Sequence, residues 1–410
     1  GAAPVGLELS AGVGVDRVDG EGLATLTPRL GLKTETLSLL LAPPLRLLLF
    51  SPAGEFGMRD RDWDQRSEWL RPLEHLAYRS SGGDLVATSS GSRGLTVGRG
   101  AIVDGYRSAL LADHHRTGVH VFGRRGPLEL ELFGHDVTSW QVFAARMALR
   151  PFGGERPPET GIGSLTLAID AAADRNVAEA APSATAAVRR SSLAIAATEL
   201  RLGVYRGERL AVATWLTGGV SSHGTAFGAG VEAGVTLGWL ARDQRHRLLE
   251  LSLAPGWADG SYLPARFDAG YEASRDLLGA TLAELGEAGL GAGVRARLRL
   301  EPVAGVVLRG GLRSYPLAAS VGRSLDTYEA AIAMRDLFAD APGGGLQAEF
   351  GWLRLPGGMN LLAGGASWAL WPQLRAGVRV ARALHQATPD ATPRPTWDLG
   401  FWVVVGLPAR

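Results

Sequence analysis

The chain has 410 residues, 46% of them hydrophobic and 20% charged, with a formal net charge of +1. This balance leaves no broad basic surface for nucleic acid, and no uninterrupted apolar run reaches the roughly 18–20 residues a membrane helix needs. Cysteine is absent, which excludes disulfides, and Lys33 is the only lysine, so arginine carries nearly all of the positive charge.

The sequence opens Gly1-Ala2-Ala3-Pro4, as expected where an export signal has been removed. Residues 5–15 then alternate. Val5, Leu7, Leu9, Ala11, Val13 and Val15 fall on one face, and Gly6, Glu8, Ser10, Gly12 and Gly14 on the other, a period of two that only a strand sorts this way. The most apolar stretch, 37–50, is broken by Pro43, Pro44 and Arg46. Residues 51–93 read as a long loop or constriction element. Within them, 56–80 set Trp63, Trp69, Leu70, Leu73, Leu76 and Ala77 at helical spacing interrupted by Pro72, which predicts a loop helix or plug that caps a mouth or folds inward.

Alternation resumes at 128–132, where Leu128, Leu130 and Leu132 oppose Glu129 and Glu131. It recurs at 263–272, with Leu263, Ala265, Phe267, Ala269 and Tyr271 against Arg266, Asp268, Gly270 and Glu272. At 290–300, Leu290, Ala292, Val294, Ala296, Leu298 and Leu300 oppose Gly291, Gly293, Arg295, Arg297 and Arg299. Residues 324–338 fit a helix capped by Ser324 or Asp326, or a strand with Tyr328, Ala330, Ile332 and Met334 outward; the strand is preferred. Residues 374–380 set Leu374, Ala376, Val378 and Val380 against Arg375, Gly377 and Arg379, and 397–407 put Trp397, Leu399, Phe401, Val403, Val405 and Leu407 on one side.

Strands of about ten residues match the 9–11 that cross a bilayer at a tilt, and exceed the usual five or six of a soluble strand. Arginine on the lipid face near the midplane costs about 2–4 kcal/mol, so the Arg295, Arg297 and Arg299 face turns inward and the aliphatic face meets lipid. The fold predicted is all-β: a single large antiparallel transmembrane β-barrel over 1–410. Some 18 to 20 strand candidates are visible, and the even-number habit of such barrels favours 16 or 18 within a range of 16–20. Turn compositions fall at 33–35, 123–126, 206–207, 242–246, 301–302 and 356–358, with longer loops at 172–188, 274–287, 315–325 and 385–395. Trp140, Trp215, Trp239, Trp257, Trp371 and Trp397 near strand ends suggest an aromatic girdle.

On this pattern the chain resembles the Gram-negative outer-membrane β-barrels of porin type. The phrase Gly-Leu-Thr-Val-Gly-Arg-Gly at 94–100, followed by His115, Arg116, Thr117 and Gly118 before a strand, looks like the region where such barrels pass from a constriction element into the next hairpin. The terminus departs from the pattern: such barrels commonly finish on an aromatic, whereas this sequence finishes Leu407-Pro408-Ala409-Arg410, so that either Phe401 serves instead or assembly relies on internal strands. The resemblance implies residence in the outer membrane among its lipids, small polar solutes as cargo, and a homo-oligomer, often a trimer.

Inward charges set selectivity in a conduit. Arg295, Arg297, Arg299, Arg309, Arg313, Arg375 and Arg379 are the candidates for a basic stripe, offset by Glu129, Glu131, Asp268 and Glu272 together with Glu232, Glu250 and Glu349. The same charges suit cross-lumen pairs that only brace the barrel. No catalytic residue is assigned; Ser221, Ser222 and His223 are neighbours in sequence and nothing more. Asp113, His114, His115, His120, His135 and Asp136 are dense in ligand types but match no metal spacing, and Gly289, Gly291 and Gly293 sit inside a strand pattern and open no helix, unlike a dinucleotide loop. Neither metal nor cofactor is expected. Two functions fit: a porin-like conduit for small polar solutes, or a structural barrel in a multi-protein envelope machine for polysaccharide or protein export, adhesion or gliding motility. A barrel enzyme is the third and least supported.

Overall fold

The computed structural model describes residues 6–52, 54–59, 62–63, 66–90, 93–107, 116–152, 159–178, 190–224, 226–241, 247–260, 262–263, 266–268, 271, 291–303, 305–315, 326–337, 345–354, 360–371, 373–385 and 394–406. Their strands close on themselves. Each crossing strand pairs antiparallel with its chain neighbour, and the ring is sealed by Gly6–Val18 against Arg394–Gly406, in register from Ser10 opposite Gly406 to Arg17 opposite Leu399.

Twenty strand positions make the ring. One of them is interrupted: Leu37–Leu41 and Leu45–Phe50 both pair with Glu21–Lys33, on either side of the Pro43-Pro44 step. Proline has no N–H to give the ladder, so the strand parts there and resumes. The count stands at the top of the range read from the sequence, and the reduction to 16 or 18 was too severe.

The alternation sorts lipid from lumen. Leu7, Leu9, Val13 and Val15 are exposed on the outer face, as are Leu128, Leu130, Leu132 and Leu298, because a closed ring surrounded by lipid needs no second layer over its apolar face. Thr327–Leu337 is a strand, and Tyr328 lies opposite Leu312, itself opposite Ala296 on the outer face. Trp239, Trp257, Trp371 and Trp397 are exposed near strand ends and Trp140 on a loop.

The two ends of the barrel differ. The connections after Val18, Phe50, Ser90, Ala178, Gly260, Ser314 and His385 leave from one end, and most of them are long. The opposite end holds Gly6 and Gly406 and the short turns at 34–36, 80–84, 126–127, 207–209 and 304–305, with 150–165 as its longest connection.

Four expectations are corrected. Residues 56–80 form no loop helix: one 3-10 turn, Arg66–Leu70, precedes a barrel strand, Leu73–Arg79. Within 51–93, Leu73–Arg79 and Leu85–Ser90 are barrel strands; the ladder along Leu37–Leu41 needs a partner, and that long-range pairing overrides the local helical spacing. Residues 263–272 are not a crossing strand: among the described ones, Phe267–Asp268 pairs in parallel with Val103–Asp104, apart from the barrel sheet. Alternation reports two unlike faces without saying that either one meets lipid. Trp215 is buried on the inner face instead of joining the girdle. The turn read at 301–302 also moves slightly, because its strand runs to Val303; the breaks at 242–246 and 356–358 and the loop at 274–287 lie outside the described residues.

Replacing Leu298 on the outer face by arginine is expected to destabilise the barrel by about 2–4 kcal/mol, read from urea unfolding in lipid vesicles. The same substitution at Ala363, which faces the lumen, is expected to change the midpoint little. Equal effects at both positions would contradict the assignment of faces.

Candidate functional site

The lumen is narrowed by chain that folds in from the long-connection end. The first inward segment runs from Leu95 to Arg107 and closes on itself: Val97 N–H donates to Val103 O at 3.1 Å, Gly105 N–H donates to Thr96 Oγ1 at 2.9 Å, and Leu95 pairs with Tyr106. Gly98, Gly100 and Gly105 adopt φ of 57°, 83° and 69°, the left-handed region that glycine enters without strain. At Gly98 the requirement is double, since a Cβ there would collide with the Arg146 guanidinium.

Five chemistries tie this segment to one wall. Gly98 N–H donates to Glu131 Oε2 at 2.8 Å, and the other Glu131 oxygen meets His120 Nε2 at 2.7 Å. Arg99 donates to Thr236 Oγ1 at 2.5 Å. Arg295 donates to Gly100 O at 2.6 Å and Asp104 Oδ2 at 3.1 Å, with its second nitrogen on Glu232 Oε2 at 2.7 Å. Arg297 also contacts Asp104. Trp215 lies beneath, with the Arg295 and Arg99 guanidinium carbons 5.4 and 5.9 Å from its ring centroid, a cation–π arrangement that strengthens away from water. Gly234 lies opposite Trp215 in the ladder and leaves space for the indole.

The second inward segment holds Tyr262, Leu263, Arg266 and Tyr271, all buried. Tyr271 donates to Asp174 Oδ2 at 2.8 Å and its ring lies 6.4 Å from Tyr106, which in turn meets Phe133 edge-on at 5.3 Å. Tyr262 lies against Gly219 and Gly230, and Tyr315 against Gly293, where any Cβ would strike a ring. The wall glycines are therefore seats for tyrosines. Burial holds the Tyr262 and Tyr315 phenols well above their ordinary pKa and lowers that of the Arg266 guanidinium; the two phenols stay protonated.

Beneath these segments the wall carries charges in register. Glu131, Arg146 and Asp170 face one another across three strands, with Arg146 bonded to Asp170 at 3.0 Å and to Glu199 at 3.1 Å. A third group at the long-connection end joins Asp62 to Arg46, Arg59 and Arg71 at 3.1, 3.0 and 2.5 Å, while Arg59 also reaches Glu21 at 2.7 Å and Arg71 reaches Glu68 at 3.3 Å.

The candidate lumen residues therefore separate by role. Arg295, Arg297 and Glu131 hold the first inward segment. Arg313 is buried and donates to Thr327 Oγ1 at 3.0 Å. Glu129 bonds Arg150 at 2.7 Å. Arg299 is half-exposed beside Glu301 at 3.2 Å and lies opposite the exposed Arg309. Arg375 donates to Ser367 Oγ at 3.1 Å, and the half-exposed Arg379 reaches Asp16 at 3.4 Å across Gly400. Three strands separate Arg309 from Arg375 and Arg379, so the arginines form two groups, not one stripe. Asp268 is placed by its backbone pairing with Asp104; Glu272 lies outside the described residues.

The remaining polar candidates take structural places. Ser221 and His223 are buried on the inner face, with Ser222 turned outward. His135 accepts the Val142 N–H at 3.0 Å and Asp136 accepts from Thr138 and Ser139. No group of three or more metal-ligand types occurs among the described residues; Asp113, His114 and His115 fall outside them. The sequence reading missed Arg146, Asp170 and Glu199, although each stands in an alternating run. Tyr271 stands in the alternating run 263–272, whereas Tyr262 and Tyr315 carried no such signal.

No protein-family model matches the chain, and no curated protein matches it in sequence. Among solved structures it is similar to Pseudomonas aeruginosa OccK5 (OpdH), at 9% identity, covering 98% of each chain with a TM-score of 0.38. The outer membrane protein OprD from Pseudomonas aeruginosa is similar at 10% identity, with 99% of this chain and 95% of that chain covered and a TM-score of 0.38. Acinetobacter baumannii OccAB2 gives 9% identity, 98% of each chain and a TM-score of 0.38.

Arg295→Ala is expected to cost about 3–5 kcal/mol, because it leaves Glu232 buried without its guanidinium partner. Denaturant titration of the folded barrel measures this. Limited proteolysis is expected to cut within 95–107 faster in Gly98→Val than in the parent; unchanged protection would mean that the segment does not depend on that glycine.

Proposed function

We propose that the protein is a porin-like conduit of a Gram-negative outer membrane, passing small polar solutes through a lumen that its inward segments narrow. The observation that carries this reading is the accessibility of Arg299, Arg309 and Arg379 on the inner wall, away from the buried braces of the 95–107 segment. A guanidinium that faces water inside a barrel is available to a passing solute, whereas a paired and buried one supports the wall. Long connections at one end and short turns at the other fit outer-membrane barrels, which place short turns on the periplasmic side. Polar solutes meet charge and water along the inner wall; apolar ones gain nothing from it.

A second reading, a structural barrel within an envelope machine, draws on the density of buried ion pairs around Asp62, Arg146 and Arg295. Partners would dock on connections at either end, and the lumen would serve as a rigid core. Small polar solutes are then not cargo.

Planar-bilayer recording separates the two. The conduit reading expects stepwise conductance with modest anion preference in a salt gradient. Reversing Arg299, Arg309 and Arg379 to glutamate is expected to shift the reversal potential toward cation preference. Silent insertion of correctly folded protein would remove the conduit reading and favour the structural one, for which stable co-purification of envelope proteins is the positive sign.

A further inference from the structure

We propose that the outer face of the strands Gly6–Val18, Arg394–Gly406, Leu374–His385, Asn360–Trp371 and Leu346–Arg354 is a docking surface for a phosphate-bearing, multiply acylated lipid. The site goes beyond the conduit reading and stands whether or not the barrel conducts.

Three arginines face outward near the long-connection end of this sector. Arg17 lies opposite Leu399, Arg382 opposite Trp397, and Arg354 opposite Tyr328; cross-strand partners share a face, and Leu399 and Trp397 are exposed on the outer one. Arg17 and Arg354 are exposed and Arg382 is partly so. Among the described residues, none of the three makes an ion pair or hydrogen bond. Arg354 is instead held over the Tyr328 ring, its guanidinium carbon 5.8 Å from the centroid, with Asp326 at the margin accepting from the Tyr328 hydroxyl at 3.4 Å. Guanidinium groups that face outward at the membrane boundary, with no carboxylate on them among the described residues, point to an external anion.

The spacing suits a headgroup with more than one phosphate. Arg17 and Arg382 flank the Arg394–Gly406 strand, and Arg382 and Arg354 flank Asn360–Trp371. Strands lie about 4.8 Å apart, so neighbouring guanidinium stems are roughly 10 Å apart, each on every second strand. Arginine binds phosphate through paired N–H donors.

Below the arginines the same face is grooved. A cleft of about 680 Å³ is lined by Val15, Trp368, Ala376, Val378, Phe401 and Val403, with Ala376 as floor between Trp368 and Val403 in the ladder. Val15 and Phe401 are paired, one step along their strands from Arg17 and Leu399. An acyl chain attached to a phosphate at Arg17 therefore descends into the cleft. Charge above and apolar cleft below commit the occupant to a lipid, since free phosphate uses only the first.

Native mass spectrometry of the purified full chain tests this, using diphosphoryl hexa-acylated lipid A, its dephosphorylated form and inorganic phosphate as probes. Diphosphoryl lipid A is expected to be retained in preference to the dephosphorylated lipid, and inorganic phosphate is expected neither to bind nor to displace it. The triple variant R17Q/R354Q/R382Q is expected to lose at least fivefold in retention, with R125Q, an outward arginine at the short-turn end, unchanged. Ala376→Leu fills the cleft without touching an arginine and is expected to weaken retention severalfold, which keeps the test open should the triple variant fold poorly. Equal retention by all variants, equal retention of the dephosphorylated lipid, or displacement by inorganic phosphate would each overturn the proposal. Absence of conductance would not bear on it.

Discussion

Every backbone amide that enters a bilayer must find its partner within the protein, and here a ring of twenty strands with no free edge meets that condition. The seal between Gly6–Val18 and Arg394–Gly406 completes it. Much else follows from closure. A ring has one outside and one inside, so the period-two alternation of each strand becomes a division between lipid and lumen. It also tolerates the Pro43-Pro44 interruption, because pairing continues on both sides of it.

A ring this wide leaves an interior too large for its own wall side chains to fill. The chain fills part of it with the 95–107 segment and with Tyr262, Leu263, Arg266 and Tyr271, and the cost of placing backbone and charge there is offset in part by hydrogen bonds and ion pairs to the wall. Arg295 illustrates the economy: one guanidinium bonds a loop carbonyl, a loop carboxylate and a wall carboxylate while stacking on Trp215. Glycines on the wall have the complementary task, leaving room for Tyr262 and Tyr315 to lie flat. Support of the inward segments and accessibility of the lumen are thus divided among different residues of similar type. Arg295 and Arg299 are four positions apart on one strand and on the same face, yet the first is buried in a brace and the second faces water.

The outer surface repeats that division. Its leucine, valine and tryptophan side chains need no partner beyond lipid, whereas Arg17, Arg354 and Arg382 at its rim present charge with no carboxylate on it among the described residues. Depth in the membrane decides which residues such a surface accepts, since a guanidinium near the headgroups is solvated and one at the midplane is not.

The sequence by itself determined the fold class, the inward and outward faces of the long strands, and the inward placement of Arg295, Arg297, Arg299, Glu129 and Glu131, because strand periodicity and the cost of charge in lipid are local properties. It also determined that Thr327–Leu337 would run as a strand despite its possible cap residues. Tertiary structure alone decided what lies inside the barrel. The 263–272 run has the alternation of a crossing strand, and Leu263, Arg266 and Tyr271 in it are buried; Trp215 lies within its strand and turns inward; Leu73–Arg79 has helical spacing and joins the ladder. In each case the local pattern is shared by two environments, and which one a residue meets depends on partners outside its own segment. For the same reason the separation of the arginines into braces and accessible lumen groups was not legible: Arg295 and Arg299 both stand between apolar residues on the same face of one strand, and what folds in against them differs.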